Sequence, residues 1–436
     1  MATNPLPQSL KQLFEKLSAV LAKTEKWSTP QALTALFILN IIVVAPLVIG
    51  HHMIGNPERE SLSDLHLFRD RAETIADGDL LYRDTDNATV TPPGINYLLV
   101  PPFLLGDTVV IWELWFALFT FLTAAVLFFI IREFEPSLAL MGAGLYITNP
   151  FSFFTSIGMI QDDTIIPLFV ALAMLYLIRR KHTISGTWIG LGSIVKMVPA
   201  ITAPLLVIGA SNSRERLKVI GSGLGVVLLI CAPFLILAPS EFMAFLEFYL
   251  LGNDPTGRAL EGISMWRFLG LAGLTVPNMV NLAMLLASLC TIWFLVAKES
   301  LPELNGFALS FMAFFILYSK LHYGYHLLML LVLIPWAITD WRHMTALVGA
   351  GWILRKVHLG WRGRFEMTGG DAGFALLTGL VVLYCAWWSH RLLKGESPSE
   401  MLEGKDIERL RTAAALVCLL GLYYAWKSGI DRILAA

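Results

Sequence analysis

Leu33 to Gly50 contains no charged residue and is almost wholly apolar, and comparable runs recur along the rest of the chain. Such runs leave few folds open, because in lipid every backbone N–H and C=O must be paired within the protein, and a helix of about 20 apolar residues does so while crossing the hydrocarbon core. The runs predict spanning helices near 31–50, 108–131, 138–158, 163–180, 216–238, 277–297, 304–320, 322–339, 343–354, 372–390 and 410–427. The fold class is therefore all-α, a polytopic integral membrane protein with ten or more transmembrane helices. Composition agrees: 56% of residues are hydrophobic and only 15% charged, so the main solvent is lipid. A formal net charge of -1 offers no basic face for nucleic acid. Cys231, Cys290, Cys385 and Cys418 stand singly in apolar runs and suggest neither a disulfide framework nor a CxxC metal site. Lys11, Glu15, Lys16 and Lys23 lie on an amphipathic pattern, so residues 1–30 read as a cytoplasmic interfacial helix. The membrane domain then occupies 31–427, and 428–436 form a tail.

Lys and Arg favour cytoplasmic loops. One orientation satisfies most of the short basic loops and leaves 51–107, 159–163, 239–276, 319–323 and 355–371 outside. The last of these carries Arg355, Lys356, His358, Arg362 and Arg364, against the charge rule. Such a cluster suggests an anionic ligand or a different helix count. Ile184 to Val195 and Met197 to Ala210 are too short to span and are flanked by basic residues, which predicts a re-entrant hairpin with Lys196 at its tip, about 18 Å deep. A lysine at that depth costs about 2.5 to 3.5 kcal/mol and usually faces a polar cavity; the plainer alternative is snorkelling to an interface. Ile95 to Leu105, bracketed by prolines, is expected to dip into the outer leaflet. Trp112, Trp115, Trp266, Trp336 and Trp341 read as interface belts.

The predicted outer face collects the unusual chemistry. Leu65, Phe68, Ala72, Ile75 and Ala76 recur at helical spacing, so 63–77 forms an amphipathic helix capped by Ser63 and ended by Gly78. Asp64 lies in its first turn, where the helix dipole favours a carboxylate. Asp70 shares the helix on another face. Gln161, Asp162 and Asp163 come from the second loop, Arg258, Glu261 and Arg267 from the third, and Lys320, His322, Tyr323, Tyr325 and His326 from the fourth. Each has a plain structural alternative. Asp64, Asp162 and Asp163 could be helix-start residues, Asp70 a solvated acid, and Arg258 a solvated loop residue. His322 and His326, one helical turn apart, are spaced for a shared metal or phosphate, but structural histidines are the commoner outcome.

The order Asp64, Phe68 and Asp70, Gly78, Tyr82-Arg83 and Thr91-Pro92-Pro93 resembles the first external loop of the GT-C glycosyltransferases, integral membrane enzymes that use polyprenyl-phosphate sugars. It is most similar to the GPI mannosyltransferase I catalytic subunit and to prokaryotic polyprenol-phosphate-mannose mannosyltransferases. Asn149-Pro150 with Gly158 to Asp163, Gly190-Leu191-Gly192 with Lys196 to Pro199, and His322 to Tyr325 resemble further family elements in the same order, over roughly residues 60–335. The resemblance implies a GT-C fold. It also implies transfer of a hexose, mannose first, from a polyprenyl-phosphate donor to a lipid or glycan acceptor, with inversion, at the outer face of a prokaryotic plasma membrane.

The same resemblance makes Asp64 the catalytic acid residue of the first loop, with Asp70 and Asp162 as comparison candidates. Its matched segments supply Lys196, Gln161, Asp163, His322 and Tyr325 as substrate-binding candidates, to which Arg258 is added as an outer-loop cation suited to a lipid phosphate and His326 for its spacing from His322. Leu62 stands where GPI mannosyltransferase I carries the first acid of an Asp-x-Asp pair, so that metal pair is absent; Asp64-x-His66 leaves weak binding of a divalent cation, Mg or Mn, open. The competing class is a secondary transporter or lipid flippase, which would spread charges along a midplane pathway. Here they gather at one face, with Lys196 the exception.

Overall fold

The computed structural model describes residues 8–54, 63–248, 262–271, 273–274, 276–361 and 370–435, and among these it contains helices and no strand. The amphipathic α1 (Gln8–Thr24) leads into α2 (Thr29–Ile54). Then follow α3 (Leu65–Asp77), α4 (Pro93–Leu104) and α5 (Val109–Arg132). Next come α6 (Ala139–Thr148), α7 (Pro150–Phe153), α8 (Ile166–Ile178), α9 (His182–Val195) and α10 (Ala203–Gly209). The second half holds α11 (Ser213–Leu237), α12 (Pro239–Leu246), α13 (Met265–Leu271), α14 (Asn278–Ala297) and α15 (Glu303–Leu317). It closes with α16 (His326–Ala337), α17 (Trp341–Trp361), α18 (Gly370–Leu393), α19 (Pro398–Leu402) and α20 (Ile407–Ala435). Six of these, α2, α5, α11, α14, α18 and α20, are long and apolar enough to cross a bilayer. α16 is buried on every face, as expected of a helix apolar all round at the centre of a bundle.

Helix lengths create a recess. Arg179 pairs with Glu133 at 2.7 Å, so α5 and α8 end at the same level on one face. From there α5 rises 24 residues but α8 only 13, about 36 Å against about 20 Å. The chain leading into α8 therefore sits well below the far end of α5, inside the protein. α9 runs back beside α8 and crosses α11 closely, since a Cβ on Gly190 would lie 2.5 Å from the Gly223 carbonyl oxygen; small residues allow this approach where no hydrophobic effect drives helices together. The re-entrant hairpin is present. Glu303 touches both of its ends: it holds His182 at 2.9 Å and Arg180 at 3.1 Å, and a Cβ on Gly209 would meet its carboxylate at 2.5 Å. α4 leans on the tip, where a Cβ on Gly94 would lie 2.8 Å from the Ile194 carbonyl oxygen.

Three expectations change. The run 138–158 is not one helix: Asn149 is extended, caps the Phe151 N–H at 3.0 Å, and precedes Pro150, which disfavours the α conformation before it. α17 continues to Trp361, so Arg355, Lys356 and His358 are helical rather than part of an external loop. Arg355 remains in the helix because its guanidinium stacks 4.6 Å from the Phe154 ring and 5.1 Å from Trp352, a favourable setting for a weakly hydrated cation. Arg362 and Arg364 lie outside the described residues. The tryptophan belt also shrinks, since Trp112 and Trp336 are fully buried and donate to Asp107 Oδ1 and the Glu396 carbonyl at 2.7 and 2.9 Å. Trp341 is 55% exposed, as a belt residue requires.

Candidate active site

The site assembles where the second loop meets the hairpin tip. Phe154–Gly158 forms a π-helical turn that ends α7, a feature that recurs at functional positions. Ile160 follows with φ 52, a left-handed conformation costly for a β-branched residue. Burial of its side chain and the bonds Met159 N–H to Phe154 O (2.8 Å) and Gln161 N–H to Thr155 O (3.1 Å) hold it there. This turn delivers Asp162 and Asp163, both buried, to Lys196. Lys196 Nζ donates to Asp162 Oδ1 at 3.0 Å and pairs with Asp163 Oδ1. Two carboxylates thus share one ammonium, which also lies 5.0 Å over the Tyr325 ring. Burial, reinforced by the adjacent Asp162 and by Asp64, pushes the Asp163 carboxyl above the usual range despite Lys196. Gly324 packs directly on this pair: a Cβ there would overlap Asp163 Oδ2.

The charge of Asp64 acts on Asp163, adding to the upward shift of that carboxyl. Asp64 occupies the N-cap position of α3 yet makes no capping bond; the Leu65 N–H is instead 3.3 Å from Ser63 Oγ. Among the described residues the Asp64 carboxylate accepts no hydrogen bond and is half-buried. A carboxylate so placed, with its lone pairs uncommitted, can accept a proton from a bound hydroxyl. α3 is fixed behind it. Phe68 packs on Trp112 and Phe116, and Arg69 Nε donates to Asp107 Oδ1 at 2.9 Å.

The remaining candidates separate. Gln161 is half-buried beside the acids, and its side chain makes no hydrogen bond among the described residues. Tyr325 faces Lys196. Asp70 is occupied elsewhere: its carboxylate accepts from the backbone N–H groups of Asp86 and Asn87 at 3.1 and 3.0 Å and from Asn87 Nδ2 at 3.1 Å, tying down the 86–87 turn. His322 and His326 do not converge. His322 is extended ahead of the helix and stacks on Tyr325, whereas His326 is buried between Phe151 and Phe315 with Nδ1 3.2 Å from the His322 and Tyr323 carbonyls. Arg258 and Glu261 lie outside the described residues. No group of three His, Cys, Asp or Glu side chains converges among the described residues. Between Asp162 and Asp163 the Lys196 ammonium already supplies the positive charge. Ile160 and Gly324 escaped sequence reading; the only signals were their places inside the segments 158–163 and 322–325.

Comparison with known proteins decides the family. The model of glycosyltransferase family 87 matches residues 90–354, more than half of the chain. The chain belongs to glycosyltransferase family 87. The matched segment of this family 87 chain includes the Asp162–Lys196–Asp163 cluster and Tyr325, and starts after Asp64. Among solved structures, the crystal structure of ArnT from Cupriavidus metallidurans bound to undecaprenyl phosphate is similar over 93% of this chain and 78% of that one, with a TM-score of 0.53 and 14% identity. The apo structure of the same protein is similar over 92% and 78%, with a TM-score of 0.48 and 14% identity. The fold is therefore the GT-C fold, and the chain is a GT-C membrane glycosyltransferase. No curated protein matches the sequence.

Proposed function

We propose that this family 87 enzyme transfers a hexose, mannose being the first candidate, from a polyprenyl-phosphate donor to a lipid or glycan acceptor at the outer membrane face, with inversion. The observation that carries the reading is the uncommitted Asp64 carboxylate beside the buried Asp162–Lys196–Asp163 cluster. Asp64 takes the proton of the acceptor hydroxyl as its oxygen attacks the anomeric carbon, and the lipid phosphate leaves from the opposite side. Asp162 and Asp163 hold Lys196, and with it the hairpin tip, against the Tyr325 turn. Charge on the departing phosphate must be balanced by cations or hydrogen-bond donors; Arg258, Gln161 and His322 are the candidates, with Lys196 contributing only if an acid releases it. Undecaprenyl phosphate in the similarly folded ArnT structure supports a lipid-phosphate donor here. The test supplies purified protein with labelled mannose on a polyprenyl phosphate, the same lipid carrying glucose, and a nucleotide-linked mannose. Transfer from the lipid-linked mannose is expected; transfer from the nucleotide sugar alone would overturn the reading.

A further inference from the structure

The face opposite Asp64 carries a second feature. There α1, the start of α17 and the first turns of α20 enclose an open cavity of about 1370 Å³. Two acids at its mouth are engaged locally. Asp406 Oδ1 accepts from the Arg409 backbone N–H at 3.0 Å, and Glu408 Oε1 accepts from the Ser18 hydroxyl of α1. Lys405 and Arg409 are different: both are exposed, and among the described residues neither side chain has an ion pair or hydrogen bond.

Beneath them the cavity becomes apolar. Ala413, Leu416 and Leu420 follow Arg409 at steps of four, three and four, so they continue its stripe along one face of α20. From Arg409 to Leu420 the helix rises about 16 Å, close to one leaflet of a hydrocarbon core about 30 Å thick. Trp341, exposed at the mouth, marks the height at which indoles meet lipid headgroups. A soluble anion would use the cations and leave the apolar lane empty. A lipid without a phosphate would use the lane and leave the cations unanswered, and a zwitterionic one would bring a second cation beside them.

We propose that this cavity binds an anionic glycerophospholipid of the leaflet opposite the active site, its phosphate between Lys405 and Arg409 and an acyl chain along Leu416 and Leu420. The bound lipid would bridge α1 to α20. Native mass spectrometry of the full-length protein with phosphatidylglycerol, phosphatidylcholine and glycerol phosphate tests this. The wild type should retain phosphatidylglycerol over phosphatidylcholine, and K405Q/R409Q should lose about 10- to 30-fold of that preference. Glycerol phosphate should not compete. Leu416→Trp keeps both cations but fills the lane, and should also weaken retention of phosphatidylglycerol. Equal retention of both lipids by the wild type, undiminished preference in K405Q/R409Q or in Leu416→Trp, or displacement by glycerol phosphate alone would each overturn the proposal.

Discussion

Lys196 sits between two buried carboxylates, and that arrangement sets what its removal does. Lys196→Met would leave Asp162 and Asp163 facing each other without an ammonium, and breaking a buried pair from one side costs about 3 to 5 kcal/mol. The burial gained by methionine is smaller, so a clear fall in unfolding temperature in detergent is expected, beyond any effect on substrate. Lys196→Met combined with Asp163→Asn should recover part of it, because one uncompensated charge is removed. A single variant as stable as wild type would show that the cluster carries little energy. Lys196 was legible in the sequence as a lysine too deep to be casual, and Asp162 and Asp163 as outer acids. Their pairing was not legible, because charge position along a chain says nothing of which helix end lies beside which. Asp70 shows the converse: the sequence puts it on the same helix as Asp64, but only the fold brings the 86–87 turn over it.

At the level of elements, the hairpin of α9 and α10 and the short α4 bring the tip to the site, and both were visible as apolar segments too short to span. Their contact is controlled by Gly94. Gly94→Ala places a methyl group 2.8 Å from the Ile194 carbonyl oxygen, so α4 must move off the tip beside Lys196. Reduced transfer activity and a lower unfolding temperature are expected, and unchanged values in both would mean that the contact is not needed. The break at Asn149–Pro150 was written in the sequence as an Asn-Pro step but was smoothed over by mean hydropathy, and the π turn after it could not be read because periodicity does not register a lost helical bond. His51 and Glu113, buried and 3.1 Å apart between α2 and α5, are a further polar pair that sequence reading passed over. Each looks like an ordinary residue near a helix end.

For the whole molecule, the spacing of apolar runs carried the all-helical architecture, while the recess came from unequal helix lengths pinned at Glu133–Arg179. The asymmetry of basic loops predicts that Asn87 lies outside and Ser213 inside. Cysteines at these two exposed positions, in a background without Cys290, the one exposed native cysteine among the described residues, should react oppositely with an impermeant thiol reagent applied from outside. Equal labelling would contradict the orientation. The claim that joins all three scales is that Asp64 takes the acceptor proton in a recess formed by the bundle. Its direct test is transfer of labelled sugar from a synthetic polyprenyl-phosphate donor by purified wild type, Asp64→Asn and Asp70→Asn proteins. General-base catalysis is worth roughly 10²- to 10⁴-fold, so Asp64→Asn should lose about that much turnover with donor binding nearly unchanged, and Asp70→Asn far less. Wild-type turnover by Asp64→Asn, with collapse in Asp70→Asn, would contradict the account.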